Sequence, residues 1–264
     1  MINITAITEW RTIVPWSKNE QVEQDLIICR ALVAIFSDDF LANELAFRGG
    51  TALHKLYISP QVRYSEDIDL VQINKGSIGA IIDRLKVVLD FLPNVKVLQK
   101  RHNNTIKYRM ESEIPPTSPI TLKIEINCKE HFNVLGLVKM PFRVDSRWFK
   151  GECEITTYQL DELMGTKLRA LYQRKKGRDL FDMYKAIKLV NPDRVIECYK
   201  QYMKFVVDAP PTCRQFTLNM EAKMIDPDFI GDIQGLLRAE DKFDTTKAQE
   251  AYEQVREVFI EKLK

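Results

Sequence analysis

Apolar and polar residues alternate along this chain with two different periods, and the change of period marks out the predicted elements. Residues 18–37 and 77–93 carry apolar side chains at helical spacing, and Pro93 ends the second segment. From about residue 95 to residue 143 the period falls to two, which predicts β-strands. The predicted strands are VKVLQKRHN, TIKYRM, ITLKIEINC and LVKMPFRV, with Asn103-Asn104 as a hairpin turn between the first two.

After Tyr158 the helical period returns and continues to the C-terminus. Helices are expected over QLDELMGTKLRALYQR, RDLFDMYKAIKLV, PDRVIECYKQYMKFV and residues 245–264, whereas the segment from Asp208 to Phe243 is expected to contain irregular connections. The chain is therefore predicted to be an α+β protein. Residues 1–156 should form a mixed sheet with helices, and residues 157–264 an α-helical region.

Composition excludes several classes of protein. The 264 residues carry a net charge of only +2, so no global field attracts a polyanion, and any basic surface must be local. The chain has no apolar run near 18 residues and no signal-peptide pattern at its start, so we expect a cytoplasmic protein with no membrane partner. Its five cysteines form no C-x-x-C pair, and they indicate neither a disulfide framework nor a zinc site.

The stretch FRGGTALHKLYISPQVRYSEDIDL, residues 47–70, carries the first candidate chemistry. Gly49-Gly50 lies between a short predicted strand and the predicted helix TALHKLY, which would direct backbone N–H groups and a helix N-terminus toward an anion. Thr51 can cap that helix or contact a phosphate oxygen, and Ser65 can also contact a phosphate. The pattern indicates a nucleotide site, although Gly-Gly before a helix is more often only a tight turn.

Asp67 and Asp69 supply the second candidate feature. If SEDIDLVQI is a strand, both carboxylates point to one face, whereas Ile68 and Leu70 point to the other. Two carboxylates about 6.5–7 Å apart along a strand repel each other unless a cation lies between them, and their oxygens suit one or two Mg²⁺ ions. The alternative is a solvated strand end, which is the commoner setting of an isolated Asp-x-Asp.

Glu125 is the third candidate carboxylate. Within ITLKIEINC it shares a face with Lys123 and Asn127, whereas Ile124 and Ile126 face away. A carboxylate in a central strand is unusual unless a charge or a metal pairs with it. An edge strand with a solvated polar face is the alternative.

A lysine interrupts the apolar stripe of the helix predicted from residue 160. Lys167 lies on the same face as the apolar side chains, which costs free energy unless its ammonium extends to solvent or reaches an anion. From the stripe alone, a methionine would suit this position better. Asp179 and Asp182 follow in the next helix, where they could act only as helix-dipole partners. Between them and Lys167, a basic cluster offers a docking surface for a phosphate backbone: Arg169, Arg174, Lys175, Lys176 and Arg178.

The two motifs GGTALHKLY…RYSEDIDL and TYQLDELMGTKLRALYQR…KGRDLFDMY occur here in the same order as in the AbiEii/AbiGii toxin family, and the chain resembles that family. The family belongs to the DNA-polymerase-β-like nucleotidyltransferases, so the resemblance implies that residues 1–156 form a nucleotidyltransferase core. It implies metal binding by Asp67, Asp69 and Glu125. It also implies phosphate or nucleotide contacts from a larger set, namely Gly49, Gly50, Thr51, Ser65, Arg63, Lys167, Arg178 and Asp182. Asp179 resembles the late catalytic acid, with Asp182 as the alternative.

The resemblance implies an Mg²⁺-dependent toxin of a bacterial type IV toxin–antitoxin or phage-defence pair. Such an enzyme transfers nucleotides from a nucleoside triphosphate to an RNA acceptor, for which the 3′ end of tRNA is the expected class, and it releases pyrophosphate. Its partners would be the nucleotide, the RNA and a cognate antitoxin. Two alternatives stay open: an enzyme that nucleotidylates protein side chains, and a non-catalytic module of the same fold.

Overall fold

A computed structural model describes residues 2–263 of the chain. The strands are β1 (Leu45–Arg48), β2 (Asp67–Gln72), β3 (Val95–Leu98), β4 (Asn103–Glu111), β5 (Pro119–Asn127), β6 (Leu137–Asp145) and β7 (Lys150–Tyr158). The helices are α1 (Ile4–Trp10), α2 (Asn19–Phe36), α3 (Asp39–Glu44), α4 (Gly49–Ala52), α5 (Gly79–Val88), α6 (Leu160–Gln173), α7 (Gly177–Ala186), α8 (Pro192–Lys204), α9 (Cys213–Met224), α10 (Pro227–Gly231) and α11 (Thr245–Val258). A π-helical turn, Leu53–Tyr57, continues α4, and a 3₁₀ turn, Ile260–Lys262, follows α11.

All seven strands form one mixed sheet in the order β3-β4-β5-β2-β1-β7-β6. The central pairs β2/β5 and β1/β7 are parallel, whereas β1/β2 and the outer pairs are antiparallel. The register of β2 against β5 is set by apolar partners, because Ile68 faces Ile124 and Leu70 faces Ile126. These four side chains are at most 1 % exposed, and a slip by one residue would expose all of them. The predicted α+β fold with an N-terminal mixed sheet is confirmed.

Contacts divide the chain into two compact units. The first unit contains residues 1–133 and 137–158, which include the whole sheet, and the second contains residues 134–136 and 159–264. In the first unit, α2 packs against β5, β6 and β7, as predicted, but it is buried on most sides, since Glu23, Gln24 and Asp25 are buried as well as its apolar residues. In the second unit, α6 packs against α7 and α8 around a core that includes Leu168, Leu180 and Tyr199.

Three local predictions were wrong. Asn103 and Asn104 do not form a turn, because both belong to β4, where they pair with Asn127 and Ile126 of β5. Residues 150–158, for which no strand was predicted, form β7, which lies between β1 and β6 and is buried along its last four residues. The segment from Asp208 to Phe243, expected to be irregular, contains the twelve-residue helix α9 and the short helix α10.

Candidate active site

The three predicted metal carboxylates lie on one face of the central sheet. Asp67 and Asp69 are on β2, and the parallel register places Asp69 beside Glu125 of β5. The neighbouring apolar residues of both strands point to the opposite, buried face, as the alternation predicts. Because β5 lies between β4 and β2, the edge-strand interpretation of Glu125 was wrong. We refer to Asp67, Asp69 and Glu125 together as the acid face.

A lysine lies within the acid face. Lys123 is the register partner of Asp67, and its Nζ atom is 2.8 Å from Glu125 Oε1 and 3.5 Å from Asp67 Oδ2. The sequence indicated that Lys123 shares a face with Glu125, but it gave no sign of the pairing with Asp67. All three side chains are about one-third exposed, so this ion pair is accessible to solvent.

Burial and neighbouring charges both shift the pKa values of the acid face. Burial raises the pKa of Asp67 to about 6, and the charges of Asp69, Glu66 and Glu125 add to the increase, although the Lys123 ammonium opposes it. Partial burial disfavours the charged form of Lys123, but its two carboxylate partners outweigh this effect and raise its pKa. The acid face therefore favours an added cation near neutral pH.

The donor chemistry of the acid face fits Mg²⁺, because Mg²⁺ prefers oxygen ligands from one or two carboxylates. Among residues 2–263, however, no group of three acidic, histidine or cysteine side chains is already gathered closely enough to hold an ion. Glu125 instead accepts the Lys123 ammonium. Asp67 and Asp69, at like-facing positions two residues apart on β2, are the candidate metal ligands.

Two glycines allow close packing beside the acid face. Gly49 has φ of +81°, and a Cβ atom there would overlap the carboxylate of Asp69. A Cβ atom at Gly50 would lie 2.5 Å from Nη2 of Arg63. Each glycine therefore leaves space for a polar group of the site. At position 49 only glycine allows both the positive φ and the close approach of Asp69.

The helix after these glycines begins two residues earlier than predicted. It starts at Gly49 with Arg48 as its N-cap residue, so the expectation that Thr51 could cap it was wrong. The Thr51 hydroxyl is buried, lies 2.8 Å from the Ser65 hydroxyl, and donates to the backbone carbonyl of Asp67. Thr51 thus connects the glycine turn to the start of β2.

Arg63, predicted as a phosphate contact, is only 2 % exposed. Its Nη1 donates to the carbonyl of Tyr64 at 2.9 Å, and its Nη2 packs against Gly50. In this arrangement Arg63 supports the glycine turn from the interior. Its predicted contact with a phosphate would require the guanidinium to move.

Two buried ion pairs near the glycine turn were not anticipated from the sequence. Arg48, the register partner of Asp69, contacts Glu130 at 2.6 Å. Lys55, in the π-helical turn, contacts Asp25 of α2 at 2.6 Å, and Asp25 also accepts from the indole of Trp10. Their partners are 30 to 82 residues apart in sequence, which is why no local pattern indicates them.

In the second unit, Lys167 reaches anions. Its Nζ is 3.1 Å from Asp179 Oδ1 and 2.9 Å from Asp182 Oδ2, and both carboxylates are fully buried. Arg174 completes the group through two hydrogen bonds to Asp179, at 2.6 and 2.8 Å. Lys167 is only 7 % exposed, so the alternative in which its ammonium extends to solvent was wrong. We refer to the buried Lys167, Asp179 and Asp182, together with the exposed Arg174, as the ion cluster.

The predicted basic cluster is largely neutralised within the second unit. Arg174 binds Asp179, Lys175 binds Asp226, and Lys176 and Arg178 both bind Asp232. Burial opposes ionisation of Asp232, but its hydrogen bonds from Arg178 lower its pKa to about 2. Arg169 packs over the Tyr202 ring at 5.1 Å. Each of the five cations therefore has a partner. The side chains of Arg174, Lys175 and Lys176 are still about half exposed, so these pairs lower the net charge of the surface without removing its cations from solvent.

Comparison with known proteins gives the family. A family model described as the nucleotidyl transferase AbiEii toxin, of a type IV toxin–antitoxin system, matches residues 30–257. The chain belongs to the AbiEii family. The resemblance predicted from the two motifs is confirmed, and the protein is a nucleotidyltransferase toxin by family.

Solved structures show the same fold at low sequence identity. MenT4, a nucleotidyltransferase toxin from Mycobacterium tuberculosis H37Rv, is 15 % identical with a TM-score of 0.66, covering 99 % of this chain and 91 % of that one. JHP933 from Helicobacter pylori is 18 % identical with a TM-score of 0.55, covering 94 % of each chain. A putative nucleotidyltransferase from H. pylori is 18 % identical with a TM-score of 0.56, covering 93 % of this chain and 96 % of the other. None of the curated proteins compared with the chain matches it.

Family membership implies a nucleoside triphosphate as substrate and an antitoxin as partner for this AbiEii protein. It also implies a divalent metal, as is typical of nucleotidyltransferases. None of the helices within residues 2–263 is both long enough and apolar enough to cross a membrane.

Proposed function

We propose that this AbiEii protein transfers nucleotides from a nucleoside triphosphate to an RNA acceptor, with the 3′ end of tRNA as the expected acceptor, in an Mg²⁺-dependent reaction that releases pyrophosphate. The observation that carries this proposal is the acid face beside Gly49 and Gly50, in a chain of a nucleotidyltransferase family. We propose that the toxin acts in the cytoplasm, as half of a pair that restricts phage growth.

The acid face has the properties that this reaction needs. Asp67 and Asp69 project from adjacent like-facing positions of β2, and each offers hard oxygen ligands. A divalent ion bound there supplies positive charge to a phosphoryl group and to the oxygens that attack and leave it. The chain's own contribution is to hold the carboxylates in place, through the buried partners of β2 and through the close packing of Asp69 on Gly49.

Ser65 and the glycine turn are the proposed phosphate-binding groups. The Ser65 hydroxyl is oriented by its hydrogen bond with Thr51 and lies beside Gly50. Arg63 remains a proposed contact of second rank, because it is buried in this arrangement.

From the family resemblance, we propose that Lys167 contacts phosphate and that Asp179 is the late catalytic acid. Arg178 and Asp182 are the further proposed nucleotide contacts. The contacts within the second unit support a positioning role for the two acids, since both hold the Lys167 ammonium. Arg178 is engaged by Asp232, so its contact with a nucleotide would require exchange of partners.

A protein acceptor is the second candidate, because the basic cluster is neutralised by Asp179, Asp226 and Asp232. The side chains of Lys175 and Lys176 are still about half exposed, so these ion pairs weaken the local argument for RNA over protein but do not remove it.

One experiment compares the two acceptors directly. The full chain is incubated with Mg²⁺ and each α-³²P-labelled nucleoside triphosphate, together with total tRNA or total cellular protein, and pyrophosphate is measured in parallel. If the label enters tRNA and is released by ribonuclease, the result supports the proposal. If the label enters only protein, the result favours a protein acceptor. Absence of pyrophosphate release with every nucleotide and both acceptors would overturn the enzymatic function.

A further inference from the structure

The acid face already contains one cation of the protein. The Nζ atom of Lys123 lies between Glu125 Oε1, at 2.8 Å, and Asp67 Oδ2, at 3.5 Å. Lys123 is fixed in this place by register, because its strand partner is Asp67 and the flanking apolar pair Ile68 and Ile124 is buried. Its backbone cannot move away without breaking the central pair of the sheet.

We propose that Lys123 occupies the position that a second divalent ion would take, so that this protein binds one divalent cation, through Asp67 and Asp69, and uses the lysine ammonium as its second positive charge. This inference rests on the proposed function and deepens it. It also changes the role of Glu125, which becomes the partner of Lys123 and not a ligand of a second metal ion.

Two-metal phosphoryl-transfer sites place their ions about 3.5–4 Å apart and share carboxylates between them. Here the oxygens that a second ion would need are those that already accept the Lys123 ammonium. An ion at the Mg²⁺–oxygen distance of about 2.1 Å would compete with the ammonium for the same lone pairs. The ammonium and the ion would also repel each other, because both carry positive charge.

The charges of the acid face also favour a single divalent ion. The three carboxylates of the acid face carry three negative charges, which one ammonium and one divalent ion neutralise before any nucleotide arrives. Before a nucleotide binds, a second divalent ion together with the lysine would leave the acid face with a net charge of about +2. The alternative is that the Lys123 side chain, which is 31 % exposed, moves into solvent when metal binds and leaves room for two ions.

The number of bound Mn²⁺ ions separates these possibilities. Mn²⁺ is titrated into the full chain without nucleotide, and free Mn²⁺ is followed by electron paramagnetic resonance. We expect one Mn²⁺ per wild-type chain, two in Lys123→Gln, and one again in Lys123→Arg, which retains the charge. Lys96→Gln is the matched control, since Lys96 lies on the same face two strands away and is exposed. It should bind one Mn²⁺, with affinity within about twofold of wild type.

Two Mn²⁺ ions in the wild type would overturn the inference, and so would a single ion in Lys123→Gln. Nucleotide transfer measured on the same preparation distinguishes this failure from failure of the proposed function. A wild-type enzyme that transfers nucleotides and binds two Mn²⁺ ions refutes only the role of Lys123. A folded chain that neither transfers nucleotides nor binds Mn²⁺ refutes both.

Discussion

Replacing Lys167 with methionine should destabilise the second unit, although the apolar stripe of α6 alone favours methionine at this position. The ammonium of Lys167 is held by the carboxylates of Asp179 and Asp182, which are fully buried. Methionine would fill similar space but would withdraw the positive charge from both acids. A buried carboxylate that loses its partner is costly, because neither water nor an opposite charge replaces the lost interaction.

The expected loss follows from these contacts. Removal of one member of a buried ion pair typically costs about 3–5 kcal/mol. Asp179 keeps its two hydrogen bonds from Arg174, which places the expected loss toward the lower end of that range. For a chain of this size, each kcal/mol lowers the midpoint of thermal unfolding by about 2–4 °C, so we expect a fall of roughly 6–12 °C for a loss near 3 kcal/mol.

Thermal and urea unfolding followed by circular dichroism would measure this change. Lys188→Met is the matched control, because Lys188 is an exposed lysine of the same unit, and its free energy of unfolding should change by less than about 0.5 kcal/mol. Adding Asp182→Asn to Lys167→Met should recover part of the loss, since it removes one buried charge. A Lys167→Met protein with the wild-type midpoint would refute the ion-cluster explanation and indicate that this ammonium lies in solvent.

Two further predictions concern the acid face and the glycine turn. A carboxylate must ionise to bind metal, and the pKa of Asp67 is raised to about 6. The affinity for Mn²⁺ should therefore rise about tenfold per pH unit up to pH 6 and then level off. An affinity that does not change between pH 4.5 and pH 7 would contradict this prediction. Gly49→Ala should unfold at lower temperature and lose nucleotide transfer, because alanine there combines positive φ with overlap on a site carboxylate. Gly136→Ala is the control, because Gly136 has φ of +82° but an added Cβ atom would have no neighbour within 4 Å. Equal losses of stability and activity in the two variants would mean that backbone strain alone explains the effect.

Local periodicity was sufficient to predict the elements with one buried face. The alternation in β2 and β5 placed Asp67, Asp69 and Glu125 on one side, and the apolar spacing predicted α2 and α6. It failed for β7, where residues 155–158 are buried on both sides because the strand lies inside the sheet beside β1. A strand enclosed in this way does not alternate.

The helix α9 was missed for a different reason. Phe216, Met220 and Met224 recur at intervals of four, and Thr212 with Gln215 forms a capping box, so a helical signal was present. The preceding DAPPTC run suggested a loop and concealed that signal. The capping box and the spacing of four together predict this helix.

The pairing of charges could not be predicted from local sequence. Lys123 lies 56 residues from Asp67 and meets it only through the register of β5 on β2. Two of the acids that pair with the basic cluster, Asp226 and Asp232, are also about 50 residues away from it along the chain. Sequence patterns therefore located the candidate groups, whereas tertiary structure determined which of them are engaged.

The most direct test of the central claim is nucleotide transfer by Asp69→Asn. This change keeps the size of the side chain beside Gly49 but removes the charge that would bind metal. Transfer from labelled nucleoside triphosphate in the presence of Mg²⁺ should fall by at least about a hundredfold, with the unfolding midpoint retained. Asp83→Asn, at an exposed acid of the same unit, should transfer at the wild-type rate. A folded Asp69→Asn protein that transfers nucleotides as fast as wild type would contradict the assignment of the acid face as the active site.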